Sequence, residues 1–287
     1  MTEARSPNEA DPLTDLHALG RSRILRFGSL VSLTALLSTV VPSCGGAGAS
    51  PEDVERSRRE FQLAATLRQE GSVPAAIERL RRAMELDPEN AEAELLMGYI
   101  QMERHDAASA EAHLRRGVEL LIRANREGAT LAEARNIWGL SLVTLDRCQD
   151  AIEPLRASAM DELNRAPHLA WGNLALAQIC LEHDPAALRA LEQAVRMQPR
   201  FCVGYFRMGQ VYLGQERLDD ADRVLTQAIE ADPSCTESYQ EAYALRGEVR
   251  ARLGRREEAL SDFEHCVELG ARSAAGQSCQ HFLEESN

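Results

Sequence analysis

No lysine occurs anywhere in the sequence: all 32 basic residues are arginine, set against 45 aspartates and glutamates. That absence removes whole classes of chemistry. A phosphate-loop lysine, a Schiff-base lysine, a kinase strand lysine and a Ser-Lys dyad are all impossible in this chain. Exclusive use of arginine is itself a compositional trait, of the kind a GC-rich genome imposes. Positive charge is also scarce overall. The formal charge of −13 repels nucleic-acid phosphates and anionic lipid, so neither nucleic-acid binding nor a polybasic membrane-surface role is expected. Nucleophile-elbow, HExxH and strand-bound GxGxxG patterns are missing as well, and the carboxylates are scattered over helix faces. The reading is therefore non-enzymatic, with no catalytic residue, cofactor, metal or small-molecule substrate. The 287 residues leave room for one or two domains with a real core.

One apolar run stands apart from the rest. Arg21, Arg23 and Arg26 precede Phe27 to Val41, and Pro42-Ser43-Cys44-Gly45-Gly46 follows. The run is too short for a comfortable bilayer span and lacks a basic stop-transfer cluster, so residues 1–43 read as a cleaved signal peptide. Val41-Pro42-Ser43-Cys44 resembles the bacterial lipobox, with Pro42 as its departure. The resemblance implies that Cys44 carries diacylglycerol and becomes the mature N-terminus. The alternatives are an uncleaved anchor, or ordinary secretory cleavage that leaves Cys44 a free thiol. Residues 1–20 are acidic and polar, an atypical extension for such a leader. Residues 1–43 hold four Arg and four acidic residues, so the mature chain keeps the full −13. Gly45 is not an inner-membrane retention signal of the aspartate type, which favours the outer membrane on its periplasmic side. Residues 44–50 form a short flexible tether.

Residues 51–273 carry a 34-residue period. Frames opened at Ser57, Ala91, Ala132, His168, Cys202 and Gln240 span 57–90, 91–124, 132–165, 168–201, 202–235 and 240–273. Their eighth position is Ala64, Gly98, Gly139, Ala175, Gly209 and Gly247. The twentieth is always alanine: Ala76, Ala110, Ala151, Ala187, Ala221 and Ala259. The twenty-fourth is large and apolar, Leu in five frames and Phe263 in the last. The twenty-seventh is small: Ala83, Gly117, Ser158, Ala194, Ala228 and Cys266. Pro88, Pro199 and Pro233 close three frames. This order resembles the tetratricopeptide repeat, most completely in Tyr205-x2-Met208-Gly209-x2-Tyr212, Ala221-x3-Leu225, Ala228 and Pro233. The resemblance covers nearly all of the mature chain. It implies an all-α superhelix of about six helix-turn-helix repeats, with 274–287 as a C-terminal capping helix. Asn125 to Leu131 and Thr236 to Tyr239 interrupt the period. Pro154 sits deep enough in its helix to bend it.

Without Cys44, six cysteines remain, an even number suited to an exported protein. In the repeat frame Cys148 and Cys180 flank the inter-helix turns of adjacent repeats, Cys202 and Cys235 open and close the fifth frame, and Cys266 faces the helix bearing Cys279. Sequential pairs 148–180, 202–235 and 266–279 are expected, out of 15 possible connectivities. Six reduced thiols serving as small core residues are the alternative. His265, Cys266, Cys279 and His281 match no common zinc spacing. His105 and His113 are expected on helices of the second frame, without an acidic or cysteine partner at ligand spacing. Arginine clusters are expected to be solvated helix faces, paired at i,i+4 as Glu78–Arg82, Glu111–Arg115, Asp219–Arg223 and Glu248–Arg252.

In the tetratricopeptide family the concave surface is lined by positions 2, 5, 9, 12 and 13 of each first helix. Carried over, the resemblance implies a partner-binding groove of Phe61, Leu95, Tyr99, Met102, Leu140, Val143, Leu169, Leu176, Ile179, Val203, Phe206 and Leu213. About half of these are expected at the surface, the rest in the helix-helix core. An exposed apolar stripe of this kind suits an amphipathic helix or extended apolar segment of a protein partner. The family's carboxylate clamp is not expected, because lysine is absent and only Asn136 and Arg68 stand at suitable places. An acylated, cysteine-paired, six-repeat solenoid resembles the pilotin lipoproteins of type IV pilus systems. That resemblance implies help for the secretin in reaching the outer membrane and multimerising. The second reading is an adaptor presenting envelope proteins to a periplasmic protease, cell-wall enzyme or outer-membrane assembly machine.

Overall fold

The computed structural model describes residues 49–285, and both Cys44, where lipidation is expected, and the expected leader 1–43 lie outside them. Helices α1 (Pro51–Gln69) and α2 (Val73–Leu86) make the first hairpin, α3 (Ala91–Glu103) and α4 (Ala107–Arg123) the second, and α5 (Ala129–Thr144) and α6 (Cys148–Ala159) the third. Helices α7 (Pro167–Cys180) and α8 (Asp184–Met197) follow, then α9 (Cys202–Gly214) and α10 (Leu218–Glu230). A short α11 (Pro233–Ser238) leads to α12 (Gln240–Arg252), α13 (Arg256–Gly270) and α14 (Ala274–Glu285). The described residues contain no strand.

Each hairpin is fixed by local chemistry. Ser50 accepts a hydrogen bond from the Asp53 amide at 3.1 Å, with Pro51 opening α1 where its missing N–H costs nothing. Asn90 and Asp106 cap α3 and α4 in the same way. Between the two helices of each repeat the chain turns through a left-handed residue: Gly71, His105, Asp146, Glu182, Glu216 and Gly254. All six stand fifteenth in their frames, so the turn repeats although its residue type does not.

The small-large order is a packing rule. A Cβ added to Gly139 would lie 2.4 Å from Cγ of Leu155, and one on Gly209 would lie 2.6 Å from Cγ of Leu225. The eighth and twenty-fourth positions therefore share one volume across the hairpin. The first and twenty-seventh are joined by hydrogen bonds. Ser57 Oγ donates to the Ala83 carbonyl at 2.7 Å, Ser158 Oγ to the Ala132 carbonyl at 2.6 Å, and Gln240 Nε2 to the Cys266 carbonyl.

The interruptions are absorbed without breaking the stack. The first extra segment turns the chain at Asn125, which is left-handed after α4, and starts α5 early at Ala129. The second winds α11, capped by Asp232. Pro154 lies buried inside α6, which runs on to Ala159. The helix α14 closes the last hairpin, with the Phe282 ring stacked on Phe263 at 4.8 Å.

Candidate functional site

Odd-numbered helices from α1 to α9 lie side by side, α3 against both α1 and α5, and α7 against both α5 and α9. Between α5 and α7 the approach is close enough for Asn173 Nδ2 to donate to Asn136 Oδ1 at 3.0 Å. This inner face is the one that sequence assigned to partner binding. Phe61, Tyr99, Met102, Leu176, Ile179, Val203 and Leu213 are half-buried on it, packed against the core with part of each side chain uncovered. Leu169 is exposed.

The other four assigned residues belong to the core. Leu95 is 3% exposed because it fills the space that Gly117 leaves empty, where a Cβ would lie 2.5 Å from Leu95 Cδ2. Phe206 is 7% exposed, its ring 5.1 Å from that of Tyr239 at the end of the second extra segment. Val143 is buried in the cluster that includes Leu174 and Ala177 of α7, and Leu140 is buried as well. The uncovered stripe is thus narrower than the twelve residues, and Leu176 and Ile179 on α7 belong to it.

Polar groups on this face are largely committed to one another. Arg68 pairs with Glu103 of the next repeat. Asn136 is buried, with its carbonyl oxygen accepting from Asn173, so it does not present a clamp at the surface. Burial, and then the nearby Glu133 carboxylate, push the Tyr99 phenol well above its ordinary value, so it stays a neutral hydroxyl. Its oxygen is buried without a hydrogen-bond partner, as is the Trp171 indole nitrogen. Trp171, Trp138 and Ile137 also border the inner helices, half-buried. The five-position rule does not select them, and no other signal in the sequence marks them.

Three disulfides are present: Cys148–Cys180, Cα atoms 6.2 Å apart, joins the third repeat to the fourth, Cys202–Cys235 at 6.5 Å joins the two ends of the fifth, and Cys266–Cys279 at 6.4 Å joins the sixth to the capping helix. These are the pairs set out from the repeat frame. They consume the thiols that His265 and His281 would need for a metal cluster. His113 does have an acidic partner, Glu94 on the neighbouring helix, with 2.7 Å from Nδ1 to Oε2. His105 occupies the exposed left-handed turn rather than a helix.

The arginine faces need one further correction. Glu111–Arg115 forms as expected at 3.4 Å. Arg82 turns instead to Glu60, Arg223 to Asp220, and Arg252 reaches Glu216 in the preceding repeat. The Arg82 pair crosses to the antiparallel partner helix, the Arg223 pair stays within α10 at i,i+3, and the Arg252 pair crosses to the preceding repeat, so part of the surface charge ties helices and repeats together.

Two family profiles, both described as tetratricopeptide repeat, match residues 67–120 and 206–270. No curated protein matches by sequence. Among solved structures, PilW, a widely conserved type IV pilus biogenesis factor, is similar with a TM-score of 0.66 and 18% identity, covering 78% of this chain and 98% of its own. PilF of Pseudomonas aeruginosa is similar with a TM-score of 0.62 and 19% identity, covering 82% and 99%. MamA is similar with a TM-score of 0.53 and 25% identity over 61% of this chain and 96% of its own. With the six hairpins, the shared packing rule and these matches together, the described residues form a solenoid of tetratricopeptide repeats, similar in fold to type IV pilus biogenesis proteins.

Proposed function

We propose that this protein is an outer-membrane lipoprotein that promotes assembly of the type IV pilus secretin, acting by binding and without catalysis. The observation that carries the reading is the likeness in fold to PilW and PilF over nearly the full length of each. The lipobox-like sequence at Cys44 and the apolar inner stripe supply the two parts that such a task requires. Acyl chains on Cys44 would hold the solenoid at the inner leaflet of the outer membrane, facing the periplasm. The stripe around Leu176 and Ile179 would hold an apolar secretin segment. Tethering raises the local concentration of that segment, and the groove shields it from aggregation.

The test is an immunoblot for heat- and detergent-resistant secretin multimers, alongside total monomer, in cells with and without the gene. Loss of multimers with monomer retained supports the reading. Unchanged multimers overturn it and leave the adaptor for a protease, cell-wall enzyme or assembly machine. The groove is tested separately by Leu176→Glu with Ile179→Glu, two half-buried side chains whose charge should abolish multimers with the helical signal intact. Phe206 is unsuitable for this purpose, because a charge there would unfold its repeat.

A further inference from the structure

Large apolar side chains are exposed on this protein in an uneven way. Of the six described, Ile122, Met160, Leu163, Leu169 and Met197 are 52, 66, 57, 39 and 51% exposed. None of the five lies mid-helix on the outer surface. Ile122 and Met197 occupy the last turns of α4 and α8, Met160 directly follows α6, Leu163 is in the α6–α7 connection, and Leu169 is in the first turn of α7. In a stack of antiparallel hairpins the even-numbered helices end on the edge where the odd-numbered helices begin. All five therefore crowd one edge over the second to fourth repeats. Ile122 and Leu163 line one hollow of about 300 Å³ together with Leu131 and a polar rim that includes Arg126, Glu127 and Asp161.

The described chain also begins on that edge, at Ala49 before the start of α1. From Cys44 to Pro51 is seven residues, which reach at most about 25 Å. An acyl anchor at Cys44 would thus hold this edge, and not the opposite one, against the bilayer. Arg156 and Arg196, exposed in the last turns of α6 and α8, stand beside the apolar side chains and suit lipid phosphate. The net charge of −13 argues against independent binding to an anionic surface, so the contact needs the anchor to form.

We infer that the inter-repeat edge bearing Ile122, Met160, Leu163, Leu169 and Met197 is the face that the protein lays on the lipid bilayer. The inference rests on the lipoprotein reading proposed above. It deepens that reading by fixing the orientation: the inter-helix turns point away from the membrane, and the apolar stripe opens sideways along its surface.

The acylated full chain, purified from membranes and reconstituted in phosphatidylethanolamine–phosphatidylglycerol vesicles, provides the test. Met160→Cys, Met197→Cys and, on the opposite edge, Arg104→Cys are each labelled with bimane without reductant, so that the native disulfides stay closed. Lipids brominated on their acyl chains should quench the Met160 and Met197 probes at least threefold more than the Arg104 probe. Equal or absent quenching on chains that float with the vesicles overturns the orientation while the anchor stands. Protection of the Met160 probe only when outer-membrane proteins are added assigns the edge to a protein and also overturns it. Chains that do not float remove the anchor, and the inferred orientation falls with it.

Discussion

Arg246 grips Asp262 through both carboxylate oxygens inside the fold. Arg246 Nε donates to Oδ2 at 3.0 Å and Nη2 to Oδ1 at 2.7 Å, with both side chains almost fully buried. Arg250 adds a donation to Oδ2 at 2.9 Å and another to Asp222 Oδ1 at 2.8 Å, and Arg255 completes the chain to Asp222 Oδ2 at 2.7 Å. Opposite charges thus alternate across α10, α12 and α13, between the fifth repeat and the sixth.

Breaking this ladder at its most buried member should be costly. Asp262→Ala leaves Arg246 without the carboxylate that neutralises it, and the expected loss is about 3–5 kcal/mol. Arg246→Leu combined with Asp262→Leu removes both charges and should recover most of it, since a well-packed apolar pair can replace a buried ion pair. Urea unfolding at neutral pH compares the two. A single-variant loss below about 1 kcal/mol, as for a surface pair, would show the ladder to be wet.

The left-handed turns offer the opposite kind of change. Glu182 is exposed with φ 58°, where an L side chain costs about 1–2 kcal/mol that glycine avoids. Glycine returns about 0.5–1 kcal/mol of that in lost chain entropy. Glu182→Gly should therefore stabilise by about 0.5–1 kcal/mol, and Gly254→Ala should do the reverse. Matched thermal unfolding curves decide; a destabilised Glu182→Gly would mean that its side chain does something in the turn.

Those turns also mark where the sequence stops being readable. Gly71 and Gly254 announce a left-handed turn, whereas His105, Asp146, Glu182 and Glu216 occupy the same backbone state unannounced. The hairpin cores were legible because a glycine at one position and a leucine sixteen residues later must share a volume, as Gly139 and Leu155 do. The cysteine pairs were legible for the same reason of register. The groove was legible only in part. A positional rule treats all frames alike, but Leu95 sinks into the gap over Gly117 and Phe206 is covered by Tyr239 from an insertion. Apart from Leu169, which the positional rule gave to the groove, the apolar edge was invisible, because residues in turns and last helical turns carry no period.

The three disulfides should make stability uneven along the chain. Cys148–Cys180 and Cys202–Cys235 are separated by 32 and 33 residues, Cys266–Cys279 by 13. Loop-closure entropy assigns about 3–4 kcal/mol to each of the longer two and about 3 to the shorter. The first two repeats contain no such bond, so amide exchange should be fastest over α1 to α4 in oxidised protein. Replacing both Cys148 and Cys180 by serine should spread that fast exchange into α5 to α8. Uniform exchange in the oxidised protein would contradict this ordering.

His168 provides a pH dependence with a definite sign. Its ring stands edge-on to Phe201 at 5.3 Å, and burial holds its pKa below the ordinary 6.5. The fold therefore favours the neutral ring. Above pH 6.5 the ring is neutral in both the folded and unfolded chains, and its contribution to stability is complete. As the pH falls below 6.5 the unfolded chain takes up the proton first, and stability declines until the lower folded pKa is passed. Asp220 is held low by Arg223 and Arg217, and Asp232 by Ser234. Those carboxylates lose their contribution only at pH values below their ordinary 3.8, a separate window. Unfolding midpoints between pH 7.5 and 5 should fall in the native protein and fall less in His168→Gln. A proton NMR titration should place the His168 midpoint under 6.5, whereas a midpoint at or above that value would mean that the imidazole is solvated and Phe201 does not shield it.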